Sequence, residues 1–332
     1  MQNPSPAPIL RHAYGYWASA ILTASLKQDL FTQLEVGACT AELLAERTGL
    51  TERTTQALLD ALIGMELVRK ADRTRYANSA ASSTYLVRGM PEYLGGYAVM
   101  IASTWRDWER FSEVVASGKP LHHHENANPN NSFWEDVVPA LAPLGFPPAR
   151  AAAARLGIGE RDQFRSLDIA GGAGAYSATW LQINPRARCV QIDWPNVNQI
   201  AHRYVARFGV ADRFETIDGD MEQLDLGEAR YDCVIYSNIA HGISAARNIA
   251  MFRKIKRALV PGGTLLIVGL LPDDDRTGDA LLMMFNCNMI LNTEEGSIHT
   301  RGEYSIWLRE ASYASVRFEP MADVPFTLVY AS

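Results

Sequence analysis

The chain has 332 residues, 48% of them apolar, and its 31 basic and 37 acidic side chains leave a formal net charge of −6. That length and apolar share support a large core and favour two domains over one, while the mild acidity argues against a phosphate-backbone partner. Neither a basic start with an apolar signal core nor a run of about 18 apolar residues is present, so a cytoplasmic protein with no membrane partner is expected. Cys39, Cys189, Cys233 and Cys287 lie far apart with no Cys-x-x-Cys pair, and read as reduced packing residues.

From about Pro8 to Leu34 the pattern is helical, with Tyr16, Trp17, Ala20, Ile21, Ala24 and Leu30 as an apolar stripe, and Gly37 breaks it. Thr40 caps a short helix that stops at Gly49, and Thr51 opens another, Thr54 to Leu62. Gly64 to Arg69 and Arg75 to Ala77 read as two strands joined by the charged turn Lys70 to Thr74. Helix, turn, helix and hairpin make a winged helix. A groove-reading helix needs an excess of Lys and Arg, yet Glu52 to Ile63 sets Glu52 and Asp60 against Arg53 alone. Nucleic acid is therefore not the expected partner.

A helical connector, Glu92 to Ser117, carries Tyr93, Tyr97, Met100, Trp105, Trp108 and Phe111. The domain division is placed within it, at residues 1–110 and 111–332. Pro120 to Asn131 is an Asn-rich loop containing His122-His123-His124-Glu125; neighbours in an extended loop point different ways, so a solvated loop and no metal are expected. Phe133 to Val138 begins a helix that Pro143 to Pro148 is expected to break, with a second helix from Ala149 to Leu156.

Ser166 to Tyr176 reads as a buried strand that reaches Asp168 and turns through Ala170-Gly171-Gly172-Ala173-Gly174 into a helix. Such a turn lets backbone approach a ligand closely and aims helix-start amides at it. A second strand ends in Asp193, 25 residues beyond Asp168, where a carboxylate can take the two hydroxyls of a ribose. A third, Phe214 to Ile217, runs into Asp218-Gly219-Asp220-Met221, and a fourth, Tyr231 to Tyr236, into Ser237-Asn238-Ile239-Ala240-His241. A fifth, Thr264 to Val268, follows Pro261-Gly262-Gly263. Beyond it lie a polar loop, a helix from Asp279 to Leu291, and an antiparallel hairpin, Ser315 to Pro320 with Pro325 to Tyr330. Ligands of open α/β sheets bind at the carboxyl ends of the strands, so these acids converge on one crevice. A dinucleotide fits less well: counted from Gly172, the third glycine position of its fingerprint is Ser177, and Asp218 and Asp220 would repel a pyrophosphate. Adenosine carrying a cationic sulfonium suits the crevice better.

The ordered set Asp168 to Gly174, Asp193-Trp194-Pro195, Gly219-Asp220-Met221, His241 and Pro261-Gly262-Gly263 resembles the class I methyltransferases that use S-adenosylmethionine. Within them it resembles the small-molecule O-methyltransferases with an N-terminal winged-helix dimerisation domain, from about Tyr16 to Tyr330. The resemblance implies an α/β fold: a Rossmann-like methyltransferase sheet, mostly parallel with an antiparallel C-terminal hairpin, plus a mostly helical winged-helix domain that forms a homodimer. It implies S-adenosyl-L-methionine as cofactor, with Asp168, Gly171, Gly172 and Gly174 shaping the methionine end. Asp193 would bind the ribose with Trp194 beside the adenine, Asp220 and Met221 would hold the adenine, and Ser237 the amino-acid part. Trp105, Phe133, Trp134, Asn238, Phe285, Asn286 and Met289 would meet a small aromatic acceptor.

His241 sits where the family's catalytic histidine sits, as the base or the orienting partner of the acceptor. A histidine near pKa 6.5 is a reasonable base for a phenol near 10. Plant members of the family follow this histidine with Asp-Trp and place a glutamate just after strand five; Gly242-Ile243 and Gly269 stand there in this chain. Glu303 as a substitute partner, catalysis by proximity alone, a carbon or nitrogen acceptor, and a cofactor-binding regulator without catalysis all stay open.

Overall fold

The structure, a computed structural model, describes residues 4–124 and 131–332, so Glu125 of the histidine-bearing loop lies outside the described residues. The chain divides into two compact units, one up to Arg106 and one from Asp107 to Ser332.

In the first unit the single N-terminal helix expected from the apolar stripe is three: Ala7–Ala13, Gly15–Lys27 and Leu30–Glu35. Asp29 makes the last break, with a left-handed backbone (φ 57°) and a carboxylate that takes the Thr32 hydroxyl and the Arg88 guanidinium. Apolar spacing cannot register such a stop, because the stripe continues on both sides of it. The caps do act where the sequence places them. Thr40 accepts from the amide of Leu43 and Thr51 from that of Thr54, opening helices Ala41–Thr48 and Glu52–Gly64. Strands β1 (Val68–Lys70) and β2 (Tyr76–Asn78) pair antiparallel. Leu26, Leu30, Phe31, Leu44, Leu59 and Leu62 form the core, whereas Tyr14, Tyr16 and Trp17 are exposed.

The second unit holds β3 (Phe164–Ile169), β4 (Ala187–Asp193), β5 (Phe214–Asp218), β6 (Tyr231–Ser237), β7 (Leu259–Gly269), β8 (Val316–Pro320) and β9 (Thr327–Ala331) in one sheet, ordered β5-β4-β3-β6-β7-β9-β8. The first five run parallel, and β9 lies antiparallel to both β7 and β8. Successive side chains of a strand face opposite ways. Thus Val234, Tyr236, Leu265 and Ile267 pack with Met251, Phe252 and Ile255 on one face, while Cys233, Ile235, Leu266 and Val268 pack with Trp180 and Ala201 on the other. The chain leaves β3 in one direction and returns at β6 on its other side, which puts the topological switch point beside the carboxyl end of β3.

The expected break at Pro143 to Pro148 is absent: Phe133–Leu156 is one helix of 24 residues with Pro139, Pro143, Pro147 and Pro148 inside it. Pro139, Pro143 and Pro147 recur every four residues, so their missing donors fall on one ridge, and Pro148 removes one donor more. The adjoining ridge buries Val138, Ala142, Phe146, Ala149 and Ala153, and the Trp180 indole donates to the Ala149 carbonyl at 2.8 Å. A Cβ on Gly145 would stand 2.8 Å from that of Ala175. Burial this close outweighs a few absent backbone bonds. Among the described residues no helix is long and apolar enough to cross a membrane.

Candidate active site

At the tip of β3, Asp168 is fully buried and neither of its carboxylate oxygens has a hydrogen-bond partner among the described residues. Burial first, and the nearby Asp193 second, hold its pKa well above the usual carboxylate range. Gln191, next to it on β4, also leaves its Oε1 without a partner, because its amide group donates to the Gly172 carbonyl and Asn198. A Cβ on Gly171 would lie 2.5 Å from Gln191 Oε1 and 2.7 Å from Asp168 Cγ. Two acceptor groups therefore face one spot that only a backbone without a side chain can border.

The turn that follows carries positive φ at Ala170 (50°), Gly172 (58°) and Gly174 (73°). Ala170 holds this left-handed conformation where glycine is the usual occupant. At Gly174 a Cβ would also meet Val205 Cγ2 at 2.9 Å. Gly174→Ala is accordingly expected to destabilise the unit by about 2 kcal/mol, read as a lower denaturant midpoint at unchanged slope.

Asp193 ends β4 with one oxygen accepting from the Gly172 amide (2.9 Å) and the other from the Trp194 amide (2.8 Å). Burial nevertheless pushes its pKa up to about 6, against the pull of those two amides. Asn198 ties the neighbouring strand ends together, donating to the Asp193 and Ile217 carbonyls and to the Asp218 carboxylate at 2.7 Å. Asp218 is thus already partnered, whereas among the described residues the Asp220 carboxylate accepts only from the amide of Glu222. Met221 packs partly buried against the core, and its carbonyl takes Lys254. At the end of β6, the Ser237 hydroxyl lies 3.3 Å from the Tyr176 hydroxyl, and Asn238 adopts φ 57°.

His241 follows in a short 3-10 turn, Ala240–Gly242, with its ring edge-on to Phe285 at 5.1 Å. Packed surroundings, and then the charge of His299, lower its pKa to about 4. No side-chain hydrogen bond reaches the ring from another described residue. Glu303 is not its partner: that carboxylate accepts from the Thr300 amide in a capping box and pairs with Arg276.

The other expected acceptor residues separate into groups. Phe285, Asn286 and Met289 lie on helix Ala280–Asn292, but Met289 is buried and the Asn286 side-chain oxygen is taken by Ser297 and Ile298. Trp134 packs with Trp194 around Val138, Ala173 and Val197, beside the glycine turn, and Phe133 stacks on His124 at 4.0 Å. Trp105 belongs to the first unit, where its ring lies 5.5 Å from that of Tyr16. The adjacent histidines go separate ways, His122 to Asp107 and His123 to Glu294. Among the described residues no cluster suited to a metal occurs. Gln191 and Asn198 were missed in the sequence, although a lone amide within the apolar strand Cys189-Val190-Gln191-Ile192 was a signal that something polar is buried there.

An acceptor-only pocket at the switch point, a buried carboxylate one strand over and a glycine turn between them fit a nucleoside with a cationic amino-acid tail. With this strand order they define a class I methyltransferase. Residues 161–314 match the model of the O-methyltransferase domain and residues 10–88 that of the O-methyltransferase dimerisation domain. The chain is 33% identical to the 3-hydroxy-5-methyl-1-naphthoate 3-O-methyltransferase of Streptomyces sahachiroi, over 92% of this chain and 88% of that one. It is 28% identical to the tetracenomycin polyketide synthesis 8-O-methyl transferase TcmO of Streptomyces glaucescens, over 94% and 92%. Human N-acetylserotonin methyltransferase, solved in complex with S-adenosylmethionine, shares the fold with a TM-score of 0.83 over 99% of this chain and 98% of that one, at 21% identity. The chain belongs to the O-methyltransferase family and is an S-adenosylmethionine-dependent O-methyltransferase, which sets aside the carbon-acceptor, nitrogen-acceptor and non-catalytic readings.

Proposed function

We propose that the enzyme methylates a hydroxyl of a small aromatic metabolite, as a homodimer in the cytoplasm. The observation that carries this reading is His241, a neutral imidazole set edge-on to Phe285 at the same sheet end as the buried acids. When bound, S-adenosylmethionine supplies an electrophilic methyl group. Asp168 and Gln191 Oε1 would take the cationic amino group, and Asp193, aimed by the amides of Gly172 and Trp194, would take the ribose hydroxyls. Asp220 and Met221 border the adenine. His241 would accept the hydrogen bond of the acceptor's hydroxyl and so orient its oxygen, while Phe285, against the His241 ring, would pack on the acceptor and keep water away. Alignment of this kind accounts for much of the rate of a displacement reaction.

The test is incubation with methyl-labelled cofactor and simple naphthols. Label in an acid-stable aryl methyl ether is expected; label on ring carbon, or none with any phenol, contradicts the reading. For the dimer, Trp17 is 51% and Leu10 47% exposed on the helices of the dimerisation segment, apolar side chains that a partner copy would cover. Trp17→Glu is expected to shift the sedimentation equilibrium from dimer to monomer, and an unchanged dimer would exclude this face.

A further inference from the structure

A second histidine, His299, comes two residues after Ser297, whose amide is bonded to the His241 carbonyl. His299 is 9% exposed, and its Nε2 has no hydrogen-bond partner among the described residues. Its ring lies 4.6 Å from that of Trp307 and 6.4 Å from that of Tyr304. The segment leading to it is stitched to the catalytic turn: the Ser297 amide donates to the His241 carbonyl at 2.8 Å, and a Cβ on Gly296 would meet that same carbonyl at 2.8 Å. From the helix side, Asn286 Oδ1 accepts from the Ile298 amide at 3.0 Å and the Ser297 hydroxyl at 2.9 Å. Asn286 is the residue after Phe285, whose ring touches His241.

These bonds leave the His299 segment little freedom to turn its ring elsewhere. The Glu303 carboxylate, whose charge reaches His299, is held by the Thr300 amide at 2.6 Å and by Arg276 at 3.1 Å. A buried imidazole nitrogen without a partner is unfavourable, and a ligand oxygen would supply the missing bond. Burial first, and second the positive charge His299 would carry if protonated, lower the His241 pKa. Each is neutral near pH 7, so each offers one donor and one acceptor nitrogen.

We propose that His299 is a specificity residue of the acceptor pocket, hydrogen-bonding a second oxygen on the same ring system whose hydroxyl meets His241. Preferred acceptors then carry two oxygen substituents, and a lone phenol is a poor substrate. This deepens the proposed function and rests on it. The test compares 2-naphthol with 2,3-dihydroxynaphthalene at saturating S-adenosylmethionine, for the wild type, His299→Gln and His299→Phe. The wild type is expected to favour the diol by about tenfold in kcat/KM after correction for its two hydroxyls. His299→Phe is expected to lose that preference through KM, with kcat within about threefold, and His299→Gln to keep part of it. Unchanged affinity for S-adenosylhomocysteine identifies a properly folded variant. A wild type that methylates both equally, or a His299→Phe variant that keeps the preference, overturns this inference alone and leaves Nε2 holding a buried water. A wild type that methylates neither overturns the aromatic acceptor reading, and this inference falls with it.

Discussion

Asp168→Asn is expected to stabilise the ligand-free enzyme and to weaken its hold on S-adenosylmethionine. The carboxylate is out of reach of water, has no donor among the described residues, and faces the equally unpartnered Gln191 oxygen. An uncompensated buried charge of this kind is costly. An amide keeps the shape, removes the charge and can donate to Gln191 Oε1, which should raise stability by about 1–2 kcal/mol, or roughly 2–6 °C in a unit of this size. The same change deletes a charge-assisted bond to the cofactor's amino group, worth about 2 kcal/mol or about thirtyfold in affinity. Thermal scans and calorimetry with S-adenosylhomocysteine check the two halves; a variant that melts lower and binds normally contradicts both.

The pH dependence follows in sign from the same groups. Both acids have folded pKa values raised above the unfolded ones, so the native state binds more protons and stability falls as pH rises through the window between them. For Asp193 that window runs from 3.8 to about 6. Ligand binding needs the carboxylates ionised and runs the other way, weakening as pH falls below about 6.

His241→Ala is expected to lower kcat by about a hundredfold with a small change in KM, and His241→Gln to recover part of the loss. An imidazole with its pKa lowered to about 4 is a weak base. Taking a proton outright from a phenol near 10 would be uphill by about six pK units, or about 8 kcal/mol. The ring therefore works chiefly by accepting a hydrogen bond and orienting the oxygen, and would take up the proton that the oxygen gives up on methylation. Measured with saturating cofactor, kcat should stay nearly level from pH 8 to 5.5. A histidine of ordinary pKa would lose about nine-tenths of its neutral form over that range, so a profile falling with a midpoint near 6.5 would contradict the assignment.

Much of this site was legible in the sequence because it is built from local rules. Strands that end in acids, a turn of residues no larger than alanine, and caps at Thr40 and Thr51 all declare themselves within a few residues, and β3, β4 and the two helices formed accordingly. What stayed hidden depends on contacts between distant segments. Prolines forbid a helix locally, yet Phe133–Leu156 survives four of them because Trp180 and Ala175 hold its buried face. Asn286 reads as a pocket residue until the loop at Ser297 claims its oxygen. Glu303 reads as a partner for His241 until the capping box claims its carboxylate. His299 carries no motif at all; only its burial and its unpartnered nitrogen mark it.

Calorimetric titration with S-adenosylhomocysteine of the wild type, Asp193→Asn and Asp218→Asn tests most directly the claim that a carboxylate at the tip of β4 grips the ribose. Loss of at least about thirtyfold in affinity for Asp193→Asn, with Asp218→Asn within about threefold because Asn198 already occupies that carboxylate, is the predicted result. Equal affinity of the Asp193→Asn variant and the wild type would contradict it.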